Sequence, residues 1–159
     1  MKSRTRARSL ALQALFEIDI ANHPPAEVLS NRLEGELLTD ELAEFVRQII
    51  FGILPITQDL DHIIAEHAPE WPLDQMAAID RNILRLACWE MAVQRETPIK
   101  VAINEAVELA KVFGSDSAPR FVNGVLGSLA DHQHEIEQQL KHAMLASPAK
   151  PALADPEVK

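Results

Sequence analysis

Apolar side chains recur at intervals of three and four residues between positions 40 and 54, which places them on one face of an α-helix. Thr39 stands just before Asp40 and Glu41 and can act as the N-cap of that helix. A face this apolar has to be covered by other elements, so the pattern predicts a core helix in a packed helical domain. The inward positions are Leu42, Phe45, Val46, Ile49, Ile50 and Ile53.

Similar helical periods fill nearly the whole chain, and most prolines fall between them. No alternating pattern competes with them as a strand. The segment 75–95 is apolar around most of its circumference, which is typical of a central helix packed on several sides. The sequence therefore predicts a single all-α domain of about seven helices. The predicted helices span 3–22, 26–34, 40–54, 55–67, 75–95, 97–114 and 117–129, the last with a polar extension through Ile136, Leu140 and Met144.

Size and composition agree with one folded domain, because 159 residues with 47% hydrophobic and 25% charged residues suffice for one core. We expect the domain to cover residues 1–146. Residues 147–159 hold three prolines and no periodicity, which predicts a disordered tail. The sequence contains no run of 18 apolar residues, so it predicts neither a membrane helix nor a signal peptide. The single cysteine fits a reducing compartment. We therefore expect a cytoplasmic protein.

Charge is distributed unevenly along the chain. The net charge is −9, yet Lys2, Arg4, Arg6 and Arg8 all precede Glu17, the first acidic residue. Without these four basic residues, 11 remain against 24 acidic ones. We call residues 2–8 the basic arm. If the arm is helical, the spacing of its basic side chains allows them to contact successive phosphates of a nucleic acid. A solubilising terminus is the alternative. With an acidic remainder, a nucleic-acid contact is confined to the face that the arm creates, and a basic protein stays open equally with RNA as the partner.

Catalytic and cofactor motifs are missing from the sequence. It has no Gly-x-Ser-x-Gly elbow and no glycine-rich phosphate loop, and no two histidines stand four residues apart. Cys88 lies in an apolar helical stretch, which is typical of a small core residue. These observations predict a protein that is not an enzyme and needs no cofactor or metal.

Gly124 and Gly127 lie inside a helical pattern, where each glycine costs about 1 kcal/mol relative to alanine. Two explanations stay open. One is close packing of another helix, and the other is close approach of a ligand backbone, with Asn123 offering both a donor and an acceptor.

Four stretches of sequence occur together in this chain: residues 4–16 (RTRARSLALQALF), 83–90 (ILRLACWE), 98–114 (PIKVAINEAVELAKVFG) and 121–126 (FVNGVL). With them the chain resembles the NusB family of bacterial transcription antitermination proteins over about residues 4–130. The resemblance implies two packed helical bundles and a non-catalytic adaptor. It also implies binding of boxA RNA of ribosomal RNA operons together with the ribosomal protein NusE, in a complex with NusA, NusG and RNA polymerase.

The resemblance also implies two sets of contact residues. The implied RNA contacts on the arm are Arg4, Arg6 and Arg8, with Lys2 as an addition. The other implied RNA contacts are Gln13, Phe16, Lys111, Arg120, Phe121 and Asn123. The NusE face falls on Asp80, Arg85, Trp89 and Glu90. Ordinary surface charge is the alternative for Arg85 and Glu90, and a core position is the alternative for Trp89.

The chain departs from the family pattern at three positions. Phe16 and Trp89 stand where the family often has tyrosine, and Gly127 replaces a common aspartate, which puts a contact near 127 in doubt. A helical protein-interaction module without specific RNA binding is the main rival function. An accessory domain of an RNA methyltransferase is a second rival, which the chain length disfavours. The oligomeric state stays open, a homodimer included.

Overall fold

A computed structural model describes residues 3–69 and 71–146, and these residues form eight α-helices and no strand. The predicted all-α fold is confirmed. Lys2 and the predicted tail 147–159 lie outside the described residues. The helices are α1 (Ser3–Ala21), α2 (Pro25–Leu33), α3 (Asp40–Ile53), α4 (Thr57–Glu66), α5 (Ala78–Trp89), α6 (Ile99–Phe113), α7 (Ala118–Asp131) and α8 (Gln133–Ala146).

The first three helices pack as one group. Helix α1 lies against both α2 and α3. Leu12, Ile49 and Ile53 are fully buried between them, because the apolar stripe predicted for α3 meets the small and branched side chains of α1. This group holds the basic arm against α3.

Helix α5 is the centre of the molecule. It contacts α1 and α3 on one side and α4, α6 and α7 on the other. Every residue from 82 to 90 is buried, as the sequence predicted for a helix packed on several sides. The last two helices complete the second group, where α6 packs on α7 and α8 packs on α4. The predicted pair of packed bundles is therefore confirmed, with α5 between them.

Two helical segments are shorter than the sequence predicted. The central segment becomes a π-helix over Glu90–Gln94 and ends at Arg95, whose φ is 59° and whose N–H donates to the Glu90 carbonyl at 2.9 Å. The last segment breaks at His132, so α7 and α8 are separate helices. Both changes have a packing reason, because the π-helix contacts α8, and the break lets Ile136 and Leu140 reach the core.

The helix starts differ in whether a side chain caps them. Thr39 Oγ1 accepts a hydrogen bond from the Leu42 N–H at 3.1 Å and caps α3, which confirms the N-cap prediction. Ser117 precedes α7 but its side chain forms no cap bond. Pro98 occupies the extended position just before α6 rather than its first turn, and Gly114 follows the last turn of α6.

Candidate nucleic-acid interface

Residues 3–8 of the basic arm form the first turns of α1, and two of the three arginines among them face solvent. Arg4 is exposed, and its guanidinium carbon lies 4.1 Å from the centroid of the Phe45 ring. Arg6 is half exposed and forms an ion pair with Glu36. A guanidinium stacked on a ring keeps its N–H donors at the ring edge, where a phosphate can accept them.

Arg8 points into the protein instead. Its side chain is 4% exposed. Nε donates to Glu90 Oε1 at 2.8 Å, and Nη2 donates to Glu90 Oε2 at 2.7 Å. The prediction that Arg8 contacts RNA assumes a guanidinium on the surface, whereas the structure gives this group buried carboxylate partners.

A groove of about 370 Å³ separates the start of α1 from α6. Thr5 lines it on the α1 side and donates its hydroxyl to Glu105 Oε1 at 2.8 Å. Glu108 lines it on the α6 side and accepts a hydrogen bond from the exposed Lys111 ammonium at 3.0 Å. The structure thus places Lys111 beside the groove that adjoins the arm, but it also places two carboxylates there, which oppose the approach of a phosphate.

Gln13 and Phe16 lie farther along α1, and both are half-buried. Gln13 Oε1 accepts a hydrogen bond from Arg32 at 3.1 Å, and Gln13 Nε2 donates to the Ser9 carbonyl at 3.2 Å. The amide of Gln13 therefore has to exchange existing hydrogen bonds before it can contact a base. The partly exposed ring of Phe16 carries no such cost.

The start of α7 presents a second polar surface. Arg120 and Asn123 are exposed, and Phe121 is half-buried. Within residues 3–69 and 71–146, the Arg120 side chain forms no ion pair or hydrogen bond. Its charge is therefore available to an anion in a way that the charges of Arg6 and Lys111 are not.

Arg120 and Phe121 share a groove of about 260 Å³ with Trp71 and His67. The Trp71 and Phe121 ring centroids lie 5.3 Å apart at an interplanar angle of 44°. The Trp71 side chain is 49% exposed, and no acidic residue of the described chain lines the groove. An exposed indole with a half-buried phenyl ring beside an unpaired guanidinium suits an unstacked base and its phosphate. Sequence reasoning missed Trp71, although a tryptophan between Pro69 and Pro72 is a visible signal of an exposed turn.

The two glycines of α7 are not there for helix packing. A Cβ built on Gly124 or Gly127 would meet nothing within 4 Å among the described residues. Gly124 also lines the groove that holds Trp71. Of the two explanations left open by the sequence, packing against a described helix is thus removed for both positions.

The predicted partner residues at the start of α5 are largely buried. Arg85 Nε and Nη2 each donate to an Asp61 oxygen at 2.7 Å, and Arg85 Nη1 donates to Asp19 at 3.2 Å. Asp80 is 8% exposed, its Oδ1 has no hydrogen-bond partner among the described residues, and burial raises the pKa of its carboxyl. Asp80 is therefore a carboxylate that lacks the donors it would need to be stable when charged.

Trp89 and Glu90, at the other end of α5, are also interior. Trp89 is 5% exposed, and its indole lies directly over Gly52, where an added Cβ would come within 2.6 Å of Nε1. Glu90 is 1% exposed and binds Arg8. The structure places Trp89 in the core, which was the alternative interpretation, and separates both residues from Asp80 by the length of the helix.

Metal-ligating side chains lie apart in the described part of the chain. Within that part, no three His, Cys, Asp or Glu side chains gather into a metal site. Cys88 is buried, and burial raises the pKa of its thiol to about 12, which confirms its interpretation as a core residue. No helix within residues 3–69 and 71–146 combines the length and the apolar character that a membrane crossing requires.

Comparison with known proteins agrees on one family. Residues 5–131 match the NusB family. The transcription antitermination protein NusB of Roseiflexus castenholzii is 49% identical over 134 residues, which are 83% of this chain and 94% of that protein. Its counterpart in Bacillus subtilis is 46% identical over 138 residues, which are 87% of this chain and 99% of that protein.

Solved structures give the same result. The chain is similar to T. maritima NusB with a TM-score of 0.76 and 32% identity, over 80% of this chain and 90% of that one. It also shares its fold with a chain of a crystal structure of antitermination factors NusB and NusE in complex with dsRNA, at a TM-score of 0.73 and 24% identity, over 87% of this chain and 98% of that one. The helical fold, the sequence motifs and these similarities together show that the chain belongs to the NusB family.

Proposed function

We propose that this chain is a transcription antitermination factor, a non-catalytic adaptor that binds boxA RNA of ribosomal RNA operons together with ribosomal protein NusE in the cytoplasm. Its relatives in the NusB family carry the name transcription antitermination protein. The observation that carries the proposal is the exposed pair Arg4 and Arg6 at the start of α1 in a chain of net charge −9. On an acidic protein, such a local cationic surface is where a polyanion can bind.

RNA recognition divides between two surfaces in this proposal. Arg4 and Arg6 hold phosphates and position the strand without reading its sequence. Arg120, Phe121 and Trp71 supply the ring faces and the unpaired cation that an unstacked nucleotide requires. Asn123 and Lys111 are exposed and remain proposed contacts next to these surfaces.

NusE binding falls on the acidic surface around the start of α5. Asp19 and Asp61 are each about one quarter exposed beside the buried Arg85. Ribosomal proteins are typically basic, so complementary charge would favour their association with this surface. This chain and NusE would then join NusA, NusG and RNA polymerase in the antitermination complex.

Fluorescence anisotropy with a labelled boxA RNA tests the proposal. A scrambled RNA of the same composition is the control, and each RNA is measured with and without NusE at about 150 mM salt, where exposed charges are partly screened. We expect tighter binding to boxA than to the scrambled RNA, with a larger difference when NusE is present. Equal affinity for both RNAs in both conditions would reject the proposal.

A protein-interaction module without specific RNA binding is the second candidate, and one observation favours it. Arg6, Arg8 and Lys111, three of the predicted RNA-binding cations, are already paired with Glu36, Glu90 and Glu108. If these pairs stay closed, little positive charge remains for RNA. This candidate predicts that NusE binds with equal affinity in the presence and absence of boxA RNA, which a titration of fluorescently labelled NusE with the chain, with and without unlabelled boxA RNA, can measure.

A further inference from the structure

Arg8 is enclosed by side chains from four separate parts of the fold. Besides its two hydrogen bonds to Glu90, its guanidinium carbon lies 5.4 Å from the Phe45 ring centroid and Nη1 lies 3.5 Å from Glu105 Oε1. The Thr97 hydroxyl donates to Glu90 Oε2 at 3.0 Å and closes the pair from the loop before α6. The start of α1 is thus tied to α3, to the end of α5 and to α6 through one side chain.

Such a pair is a costly way to stabilise a core. Two charges leave water, and apolar side chains of similar volume are often as stabilising, whereas a buried pair of this kind can fix one arrangement of the chain. The planar guanidinium fits both carboxylate oxygens at once, which a lysine ammonium cannot do. The pair therefore specifies position more than it adds stability.

The beginning of α1 needs an anchor of this sort. Its first turn contains no acidic residue, and Arg4 and Arg6 stand near the positive end of the helix dipole. That arrangement disfavours helix at the N-terminus. A tertiary contact at Arg8, one turn further on, compensates for this and keeps the preceding turn helical.

The anchor also fixes the rotation of the helix. Arg4 and Arg8 are four residues apart, so they share one face, and both guanidinium groups lie over the same Phe45 ring. Arg6 lies about 200° around the helix from Arg4, by the 3.6-residue repeat, and points away from that face. A fixed position of the Arg8 side chain therefore fixes the positions of Arg4 and Arg6.

We propose that Arg8 is a positioning residue and not an RNA contact: its buried pair with Glu90 fixes the first turns of α1 so that Arg4 and Arg6 are presented to phosphates. This inference rests on the proposed function, because it assigns the RNA contacts of the arm to the two exposed arginines. It replaces three expected phosphate contacts on the arm's arginines with two.

The test compares Arg8→Lys with Arg6→Ala in the full chain. Labelled boxA RNA is titrated at several salt concentrations, and amide hydrogen exchange of residues 4–9 is measured without RNA. We expect Arg8→Lys to lower RNA affinity about tenfold through lost preorganisation while leaving the salt slope unchanged, and to speed exchange in those residues. Arg6→Ala should instead lower the slope by about 0.7, the value of one single-strand phosphate contact, with normal exchange.

Ile64→Val is the control for lost stability, since Ile64 is fully buried in α4 and α4 does not carry the arm. It should leave RNA affinity, slope and exchange of residues 4–9 unchanged. If Arg8→Lys does not fold, Thr97→Val is the milder variant, because it removes only the hydroxyl that donates to Glu90. We expect it to change affinity and exchange in the same direction.

Two results would overturn the proposal. An RNA affinity that falls for Arg8→Lys while exchange of residues 4–9 stays unchanged would make Arg8 a direct phosphate contact, and unaltered affinity with unaltered exchange would show that the pair positions nothing. If the unaltered chain bound RNA without salt dependence, the proposed function would fail and the positioning role with it. The exchange measurement would still show whether the pair orders α1, so the two failures can be told apart.

Discussion

The two ends of α1 adjoin buried arginines of the same geometry in different surroundings. Near its start, Arg8 binds both oxygens of Glu90. Near its end, Arg85 binds both oxygens of Asp61 and also reaches Asp19. Each guanidinium is less than one tenth exposed. The difference lies in what surrounds the pair.

Exposed arginines stand beside the first pair, and partly exposed aspartates form part of the second. Arg4 and Arg6 lie on the same turns of α1 as Arg8, whereas Asp19 and Asp61 are each about one quarter exposed beside Arg85, with Arg81 also donating to Asp19. Asp80 lies elsewhere on α5, with its Oδ1 beside Gly114. A single helix therefore connects a surface suited to phosphates with one suited to a basic protein. Paired arginines thus organise both ends of α1, and the exposed groups beside them differ in charge.

Removal of the Glu90 carboxylate should have the largest effect on this comparison. Glu90→Ala leaves the Arg8 charge buried without its main partner, so we expect the free energy of unfolding to fall by about 3–5 kcal/mol. Urea denaturation followed by circular dichroism measures it.

Asp61→Ala is the matched variant at the second end. Arg85 keeps Asp19, so the loss should be smaller, about 1–3 kcal/mol. An equal loss at both ends would show that the two pairs are equivalent and that Glu90 holds no special position.

An added methyl group at Gly114 tests how closely the end of α6 packs against Asp80 and Ala118. A Cβ there would lie 2.6 Å from Ala118 Cβ and 3.0 Å from Asp80 Oδ1. Gly114→Ala should cost about 1–3 kcal/mol through overpacking. Gly124→Ala is the control, because its Cβ meets open space and should stabilise α7 by up to about 1 kcal/mol. Thermal unfolding of both variants checks the sign, and stabilisation by both would contradict the packing at Gly114.

The smallest effect is the pH dependence of the contribution of Asp80 to stability. Burial raises the pKa of Asp80 above its ordinary 3.8, so its contribution to stability is full below that value and is lost as pH rises through the raised pKa. Asp80→Asn should therefore stabilise the chain at about pH 7, by up to about 1 kcal/mol, with no gain below about pH 4. Unfolding measured across this range would contradict the assignment if the gain did not depend on pH.

Asp19→Asn should change the stability at about pH 7 in the opposite direction to Asp80→Asn. Burial alone would raise the pKa of Asp19, but hydrogen bonds from Arg81 and Asn82 and the nearby Arg85 charge hold it below 3.8. Its contribution to stability is therefore present above that value and is lost as pH falls through the lowered pKa. This variant should lose stability at about pH 7, in contrast to Asp80→Asn.

Helical periodicity made most of the fold predictable. The apolar stripe of α3, its Thr39 cap and the central position of α5 all follow from spacing that depends on neighbours along the chain. The π-helix at Glu90–Gln94 and the break at His132 do not, because they depend on how distant helices pack.

The candidate site was less predictable than the fold. Spacing showed that Arg4 and Arg8 share a helix face, but it could not show that this face turns toward Phe45. The partner of Arg8 is Glu90, which is 82 residues away along the chain. Charge pattern alone therefore identified the arm and missed which of its arginines is buried, since burial is decided by long-range packing.

The most direct test of the central claim is the salt dependence of boxA RNA binding by the double variant Arg4→Ala, Arg6→Ala. Arg95→Ala is the control, since Arg95 is an exposed, ion-paired arginine that follows the π-helix. If the start of α1 holds two phosphates, the slope of log affinity against log salt should fall by about 1.4 in the double variant and stay unchanged in the control. Equal slopes in all three proteins would contradict the claim that this end of α1 binds RNA.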